Sequence, residues 1–421
     1  MSGVSSNSSR YICPGSLLLT DRRRTRLFLV GCALVLVPLC FLGYGTDNDA
    51  YTVLDSGVST WHLHLPETSR NPGYWIFEAM VYLLRHVGGS LATNLATLAV
   101  AITLLWRFLV IADRLGVHFR YFFAASLAVT PVFAIAATST VDYLWSLLGL
   151  LLFVELVLED RLALAILPAA FAFAIRSANG PLIAGALLGA IIVTPRRAPR
   201  LLAVGFAAAM LGGLPMIESY RLANHSFAFT QALSGPDSMW SARMRAGRFL
   251  YKSLFLFGPI ASAIMIGCAI LASVPSPVRW EANSEYRARA MPILLGIIFA
   301  NALLFLRYPI EISYLIPAAF FLLLLLGTRL ERKSAAIAVF LAILSLNFVT
   351  PQFARPNNPG HATGAALHPS VEPGILIEDI RLRLTVRQCE DYRCFFLVFH
   401  PGSHALDYTG PVPSPIRAPI K

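Results

Sequence analysis

Apolar runs recur along almost the whole chain, from Leu27–Gly45 to residues 334–350, and short arginine-rich turns separate them. Runs of about 15–22 residues, wound as helix at about 1.5 Å per residue, match a bilayer core of about 30 Å. The composition agrees: 56% of the 421 residues are hydrophobic and 14% are charged, too apolar for an ordinary soluble domain. The expected fold class is an all-α polytopic membrane protein.

The net charge of +11 would suit nucleic acid if it lined one soluble face, but the arginines sit in clusters between apolar runs. No nucleic-acid partner is expected. Arg22, Arg23, Arg24 and Arg26 precede the first run, which places the N-terminus in the cytoplasm by the positive-inside rule. Further spans are expected near 90–112, 121–137, 142–158, 161–175, 181–194, 200–216, 251–274, 291–306, 312–328 and 334–350, about eleven in all. That count keeps the clusters at Arg114–Arg120, Arg161, Arg196–Arg200, Arg279–Arg289 and Arg329–Lys333 inside and leaves Arg176 and Arg307 outside.

Three regions follow: a cytoplasmic segment 1–26, a membrane domain 27–350 with large outer loops at 46–90 and 217–250, and an extracytoplasmic tail 351–421. Within the first outer loop, Asn71 and Pro72 start, and Gly88-Gly89 stop, a helix read as partly embedded rather than crossing. In the tail, Leu382, Leu384 and Val386 alternate with Arg381, Arg383 and Arg387, a strand pattern that suggests a small hairpin after a linker. Cys389 and Cys394 flank its turn, where a disulfide would close it in an oxidising compartment. There is no internal repeat, no phosphate-cradling Gly-rich loop beside a strand, no HExxH and no GxSxG, so nucleotide-driven chemistry is unsupported.

Asp47 and Asp49 lie two residues apart at the exit of the first span, in GYGTDNDAY. One carboxylate there can accept a proton from a hydroxyl, or the pair can hold a divalent cation beside a phosphate. They are followed by Asp55, His62, His64, the segment SRNPGYW with Arg70, Tyr74 and Trp75, and Glu78. STVDYLW then sets Asp142 at an outer mouth, IRSANGP sets Arg176 at an outer turn, and LRYPIEISYLIPA carries Arg307 and Glu311. Together these segments resemble the GT-C superfamily of membrane glycosyltransferases, from about Arg22 to Leu330. Members such as the protein O-mannosyltransferases and lipid A aminoarabinose transferases take sugars from polyprenyl-phosphate carriers. Asn48-Asp49 departs from the Asp-Glu of many members, and the tail has no counterpart in the resemblance.

The resemblance implies a hexosyltransferase acting at the extracytoplasmic face, and the excess of arginine over lysine with abundant alanine points to a bacterial inner (plasma) membrane. Asp47 would be the base, and Asp49 its helper or a cation ligand. Arg70, Tyr74, Asp142, Arg176, Arg307 and Glu311 would bind the substrate and its phosphate. Transfer would go by single displacement, with inversion. Partners would be the polyprenyl-phosphate-linked sugar, membrane lipids, and a lipid, glycan or protein acceptor. No cofactor is required, and Mg or Mn bridging Asp47 and Asp49 is compatible with the motif. Two other readings stand beside this one: a polysaccharide polymerase or ligase, and a transporter or lipid flippase.

Overall fold

The computed structural model describes residues 14–64, 69, 74–222, 241–272, 284–330, 332–356 and 365–399. The helices are α1 (Pro14–Leu36), α2 (Asn48–Trp61), α3 (Trp75–Arg114), α4 (Arg120–Ala128), α5 (Pro131–Ala137), α6 (Tyr143–Leu158), α7 (Leu162–Ile175) and α8 (Asn179–Val193). They continue with α9 (Ala198–Leu222), α10 (Ala242–Phe257), α11 (Pro259–Ala272), α12 (Ser284–Arg307), α13 (Ile316–Gly327) and α14 (Lys333–Ser345). Strands β1 (Val349–Pro356) and β2 (Ala365–Pro373) pair antiparallel, and α15 (Ile375–Val386) and α16 (Tyr392–Phe399) close the described chain.

Helix is what these sequences can sustain in lipid, because it satisfies every backbone N–H and C=O within the segment. The structure departs from the expected eleven spans. Among the described residues, four helices are long and apolar enough to cross a membrane: Asp21–Phe41, Trp75–Arg114, Pro195–Ile217 and Glu285–Arg307. Counting each of two sharply bent pairs, Arg120–Ala128 with Pro131–Ala137 and Ala242–Phe257 with Pro259–Gly267, gives six. The remaining apolar helices are 10–17 residues long. The apolar run read as 142–158, for example, yields a 16-residue helix, about 24 Å by helical rise against a core of about 30 Å. Apolar runs include turn residues, so counting them as helix overstates length.

The segment 72–87 breaks where expected, at Gly88-Gly89, but its helix starts later. Its helix starts at Trp75, with Tyr74 at the cap position, and runs on into the next span as one 40-residue element. The break falls at Gly88 and Gly89, and Gly89 has φ 60°, which a glycine adopts without a Cβ clash. Asn71 and Pro72 lie outside the described residues.

Successive helices run between two ends. At one end the arginines pair with acidic partners: Arg120 with Asp21 at 2.6 Å, Arg114 with Glu159 at 3.0 Å and Arg289 with Asp160 at 3.1 Å. A buried pair, Arg107 with Glu155 at 2.5 Å, lies a short way inside. α8 and α12 pack backbone to backbone, since a Cβ added at Gly185 would meet the Gly296 carbonyl at 2.4 Å.

The tail is rebuilt relative to the sequence reading. Residues 381–399, expected as a hairpin, are helical, and the two strands lie earlier, across the stretch read as linker. The reason is the period of the buried face. On α15 it is Asp379, Arg383 and Val386 that are buried, at helical spacing, while Ile377 and Leu384 face out.

Candidate active site

At the opposite end of the helices from the paired arginines, three carboxylates converge. Asp47 caps α2: its backbone is extended (φ −80°, ψ 128°), and its Oδ1 accepts the Asp49 N–H at 2.9 Å. Asp49 follows in the first turn. Glu311 arrives from the loop between α12 and a 3₁₀ turn, Ile312–Leu315. One ligand oxygen from each of Asp47, Asp49 and Glu311 lies within 4.8 Å of the others, and all three are half-buried. Gathering three negative charges costs Coulomb energy, which a divalent cation would offset. This is the one such cluster among the described residues.

Glu311 is held in place. Its Oε2 accepts the Tyr143 hydroxyl at 2.6 Å and the Ser313 hydroxyl at 3.1 Å. Tyr143, at the start of α6, lies within electrostatic reach of Asp47, Asp49, Glu311 and Arg176. Arg176 donates to Asp142 at 2.7 Å, and both are buried. Its guanidinium lies 4.2 Å from the Tyr143 ring centroid and 4.8 Å from that of Tyr314. Asp142 stands at the cap position of α6 but makes no side-chain capping bond there. With Arg176 it forms one buried ion pair inside an aromatic box.

Beside the box is a cavity of about 240 Å³ lined by Tyr74, Arg176, Asn179, Asn301, Tyr308 and Tyr314 among others. Its lining sets tyrosine rings and hydroxyls, the amides of Asn179 and Asn301 and the Arg176 guanidinium among apolar side chains such as Leu182 and Leu304, and ring faces with a few polar groups are chemistry that recognises a sugar ring. A second, mainly apolar cavity of about 810 Å³ runs between α10, α11, α12 and α13 from Leu315 to Arg329. The two meet at the 3₁₀ turn: Ser313 and Tyr314 line the first and Leu315 the second. Two cations of α10 stand there. Arg248 donates to the Pro309 carbonyl at 3.2 Å, and Lys252 donates to the Ile310 carbonyl.

The other expected residues have different positions. Arg307 ends α12, 6.0 Å from the Tyr308 ring centroid, and Arg70 lies outside the described residues. Asp55 and Glu78, read as company of the acidic motif, turn elsewhere: Asp55 accepts the Tyr392 N–H at 3.2 Å, and Glu78 accepts the Ser69 N–H at 2.9 Å and its hydroxyl at 2.5 Å. His62 and His64 are exposed. Sequence reasoning missed Tyr143, Tyr314 and Lys252. For Tyr143 a signal was present, since it directly follows Asp142. No protein-family model matches the chain, and neither a characterised protein nor a solved structure does.

Proposed function

We propose that the protein is a membrane glycosyltransferase of GT-C type that transfers a sugar from a polyprenyl-phosphate-linked donor to an acceptor hydroxyl. The observation that carries this reading is the junction at the 3₁₀ turn Ile312–Leu315, where a carboxylate cluster, a tyrosine- and asparagine-bearing cavity of about 240 Å³ and a mainly apolar groove of about 810 Å³ adjoin. A polyprenyl chain fits the groove, its phosphate falls beside Arg248 and Lys252, and its sugar enters the smaller cavity. Asp47, half-buried at the start of α2, takes the acceptor proton as the glycosidic oxygen forms its bond to the anomeric carbon. The carbon–phosphate oxygen bond breaks at the opposite side, so the centre inverts and polyprenyl phosphate leaves. Asp49 and Glu311 support the developing positive charge on the sugar; a divalent cation, if held by these carboxylates, would instead supply positive charge for the departing phosphate. Arg176, already neutralised by Asp142, orients Tyr143 and Tyr314 rather than the phosphate. The positive-inside rule favours the extracytoplasmic side for this end, because the arginine clusters lie at the other.

A transporter reading draws on the two helix pairs bent by 68° and 86°. One experiment separates them. Purified protein in vesicles is given lipid-linked sugar labelled in the sugar and an acceptor pool. Release of polyprenyl phosphate with label in the acceptor supports the transferase. Movement of intact labelled lipid between leaflets, without release, overturns it in favour of the transporter.

A further inference from the structure

The tail is bolted to the site by a buried charge. Arg383 of α15 is 0% exposed and pairs with Asp379 at 2.6 Å. Its remaining donors reach the Thr138 carbonyl at 2.7 Å, the Ser139 hydroxyl at 2.5 Å and the Ile135 carbonyl at 3.2 Å. Asp379 in turn accepts the hydroxyl of Thr46 at 2.6 Å, and Thr46 is the residue before Asp47. From one ion pair, therefore, bonds run to both loops that carry the carboxylate site: 43–47, which leads into Asp47 and Asp49, and 138–142, which leads into Asp142 and Tyr143. The loops are also joined to each other by the Thr140 N–H on the Tyr44 carbonyl at 2.9 Å.

A buried ion pair is a poor way to gain stability, since apolar residues of similar volume often do as well or better. Its use here fits the second property of such pairs, directional geometry. Other contacts hold the tail down over the same loops. Phe395 stacks on Tyr51 of α2 at 4.4 Å between centroids, and Arg387 comes so near Gly43 that a Cβ there would be 2.9 Å from its Cα. The disulfide between Cys389 and Cys394 ties the turn between α15 and α16.

We propose that Asp379 and Arg383 are positioning residues, and that the C-terminal helices form an outer clamp which sets the Asp47 carboxylate against Glu311 through Thr46. The inference rests on the transferase reading for its kinetic consequence, and on geometry alone for its structural one. Misplacing a reacting group by about 1 Å can cost on the order of 100-fold in rate. Cutting the Thr46 bridge lowers kcat and leaves donor KM in place, because the donor's groove and cavity lie away from the tail.

The test uses the full chain in nanodiscs, with Thr46→Val, Thr46→Ser and Asp379→Asn. Thr46→Val keeps shape and removes only the hydroxyl, so it folds even where Arg383 variants do not. Expected are faster amide exchange over residues 45–50, a kcat reduced on the order of 10-fold or more at unchanged KM, and recovery of both in Thr46→Ser. Unchanged exchange and kcat in Thr46→Val overturn the clamp, as does loss without rescue by Thr46→Ser. If the wild-type protein transfers no sugar, the transferase reading fails and exchange at 45–50 alone decides the clamp.

Discussion

Replacing Arg176 with Met should be among the most damaging single changes outside the carboxylate cluster. Arg176 is 9% exposed and Asp142 1%, and they meet at 2.7 Å with little of either charge left to solvent. At an effective dielectric near 20, charges about 4 Å apart attract by roughly 4 kcal/mol. Met fills much of the arginine volume but leaves the Asp142 carboxylate without its guanidinium. Breaking such a buried pair costs on the order of 3–5 kcal/mol, against about 0–1 kcal/mol for an exposed one. The rings of Tyr143 and Tyr314 lose their cation as well, and with it the stack that orients the Tyr143 hydroxyl toward Glu311. The measurement is reversible unfolding in mixed micelles for Arg176→Met, Asp142→Leu and the double variant. The double variant should recover most of the loss, because two apolar residues leave no orphan charge. A cost below about 1 kcal/mol for Arg176→Met, or strict additivity in the double variant, would refute the argument that this pair is dry and coupled.

The packing of α8 on α12 predicts that Gly185→Val costs about 3 kcal/mol or more, since its side chain would strike the Gly296 backbone. Gly247→Ala, with nothing within 4 Å of its Cβ, should be neutral or gain up to about 1 kcal/mol; thermal unfolding of the two variants checks both. Burial raises the phenol of Tyr51 against the lowering pull of Arg383, with Tyr44 adding to the rise, and burial likewise raises the phenol of Tyr44 against Arg85. Folding therefore favours the protonated rings: their contribution is intact below about pH 10 and declines as pH rises above that value. Melts from about pH 8 to about pH 11 should show this decline. Tyr51→Phe should make it shallower while losing the bond to the Gly45 carbonyl at 3.1 Å. An unaltered alkaline slope in Tyr51→Phe counts against a buried ionisable ring there.

How far the chain could be read from residues alone depended on the range of the interaction. That apolar segments form helices is a local property, and so is the end at which Asp47, Asp142, Arg176 and Glu311 fall, because each sits at the edge of an apolar run. Their pairings are not local. Arg176 and Asp142 are 34 residues apart, and nothing in either segment says that a guanidinium will choose a carboxylate over a lipid phosphate. Span number failed for a geometric reason: hydropathy does not register how much of an apolar run is helix, and five of the expected spans are helices of only 10–17 residues. The tail failed through ambiguity of period. Alternating Leu382, Arg383 and Leu384 reads as a strand with charges outward, yet the folded helix buries Arg383 and exposes Leu384. A charge paired at i and i+4 with Asp379 was the available signal.

The central claim is that the carboxylate cluster performs chemistry rather than capping a helix and filling a loop. Asp47→Asn keeps nearly the same shape and can still accept the Asp49 N–H, while Glu311→Gln can still accept the Tyr143 hydroxyl, so both should fold. Single-turnover release of polyprenyl phosphate from a labelled lipid-linked sugar, run beside equilibrium binding of the same donor, separates turnover from affinity. The account predicts that Asp47→Asn abolishes release while donor binding stays within about threefold of wild type, less than about 0.7 kcal/mol. Release at the wild-type rate from the combined Asp47→Asn and Asp49→Asn variant would contradict it.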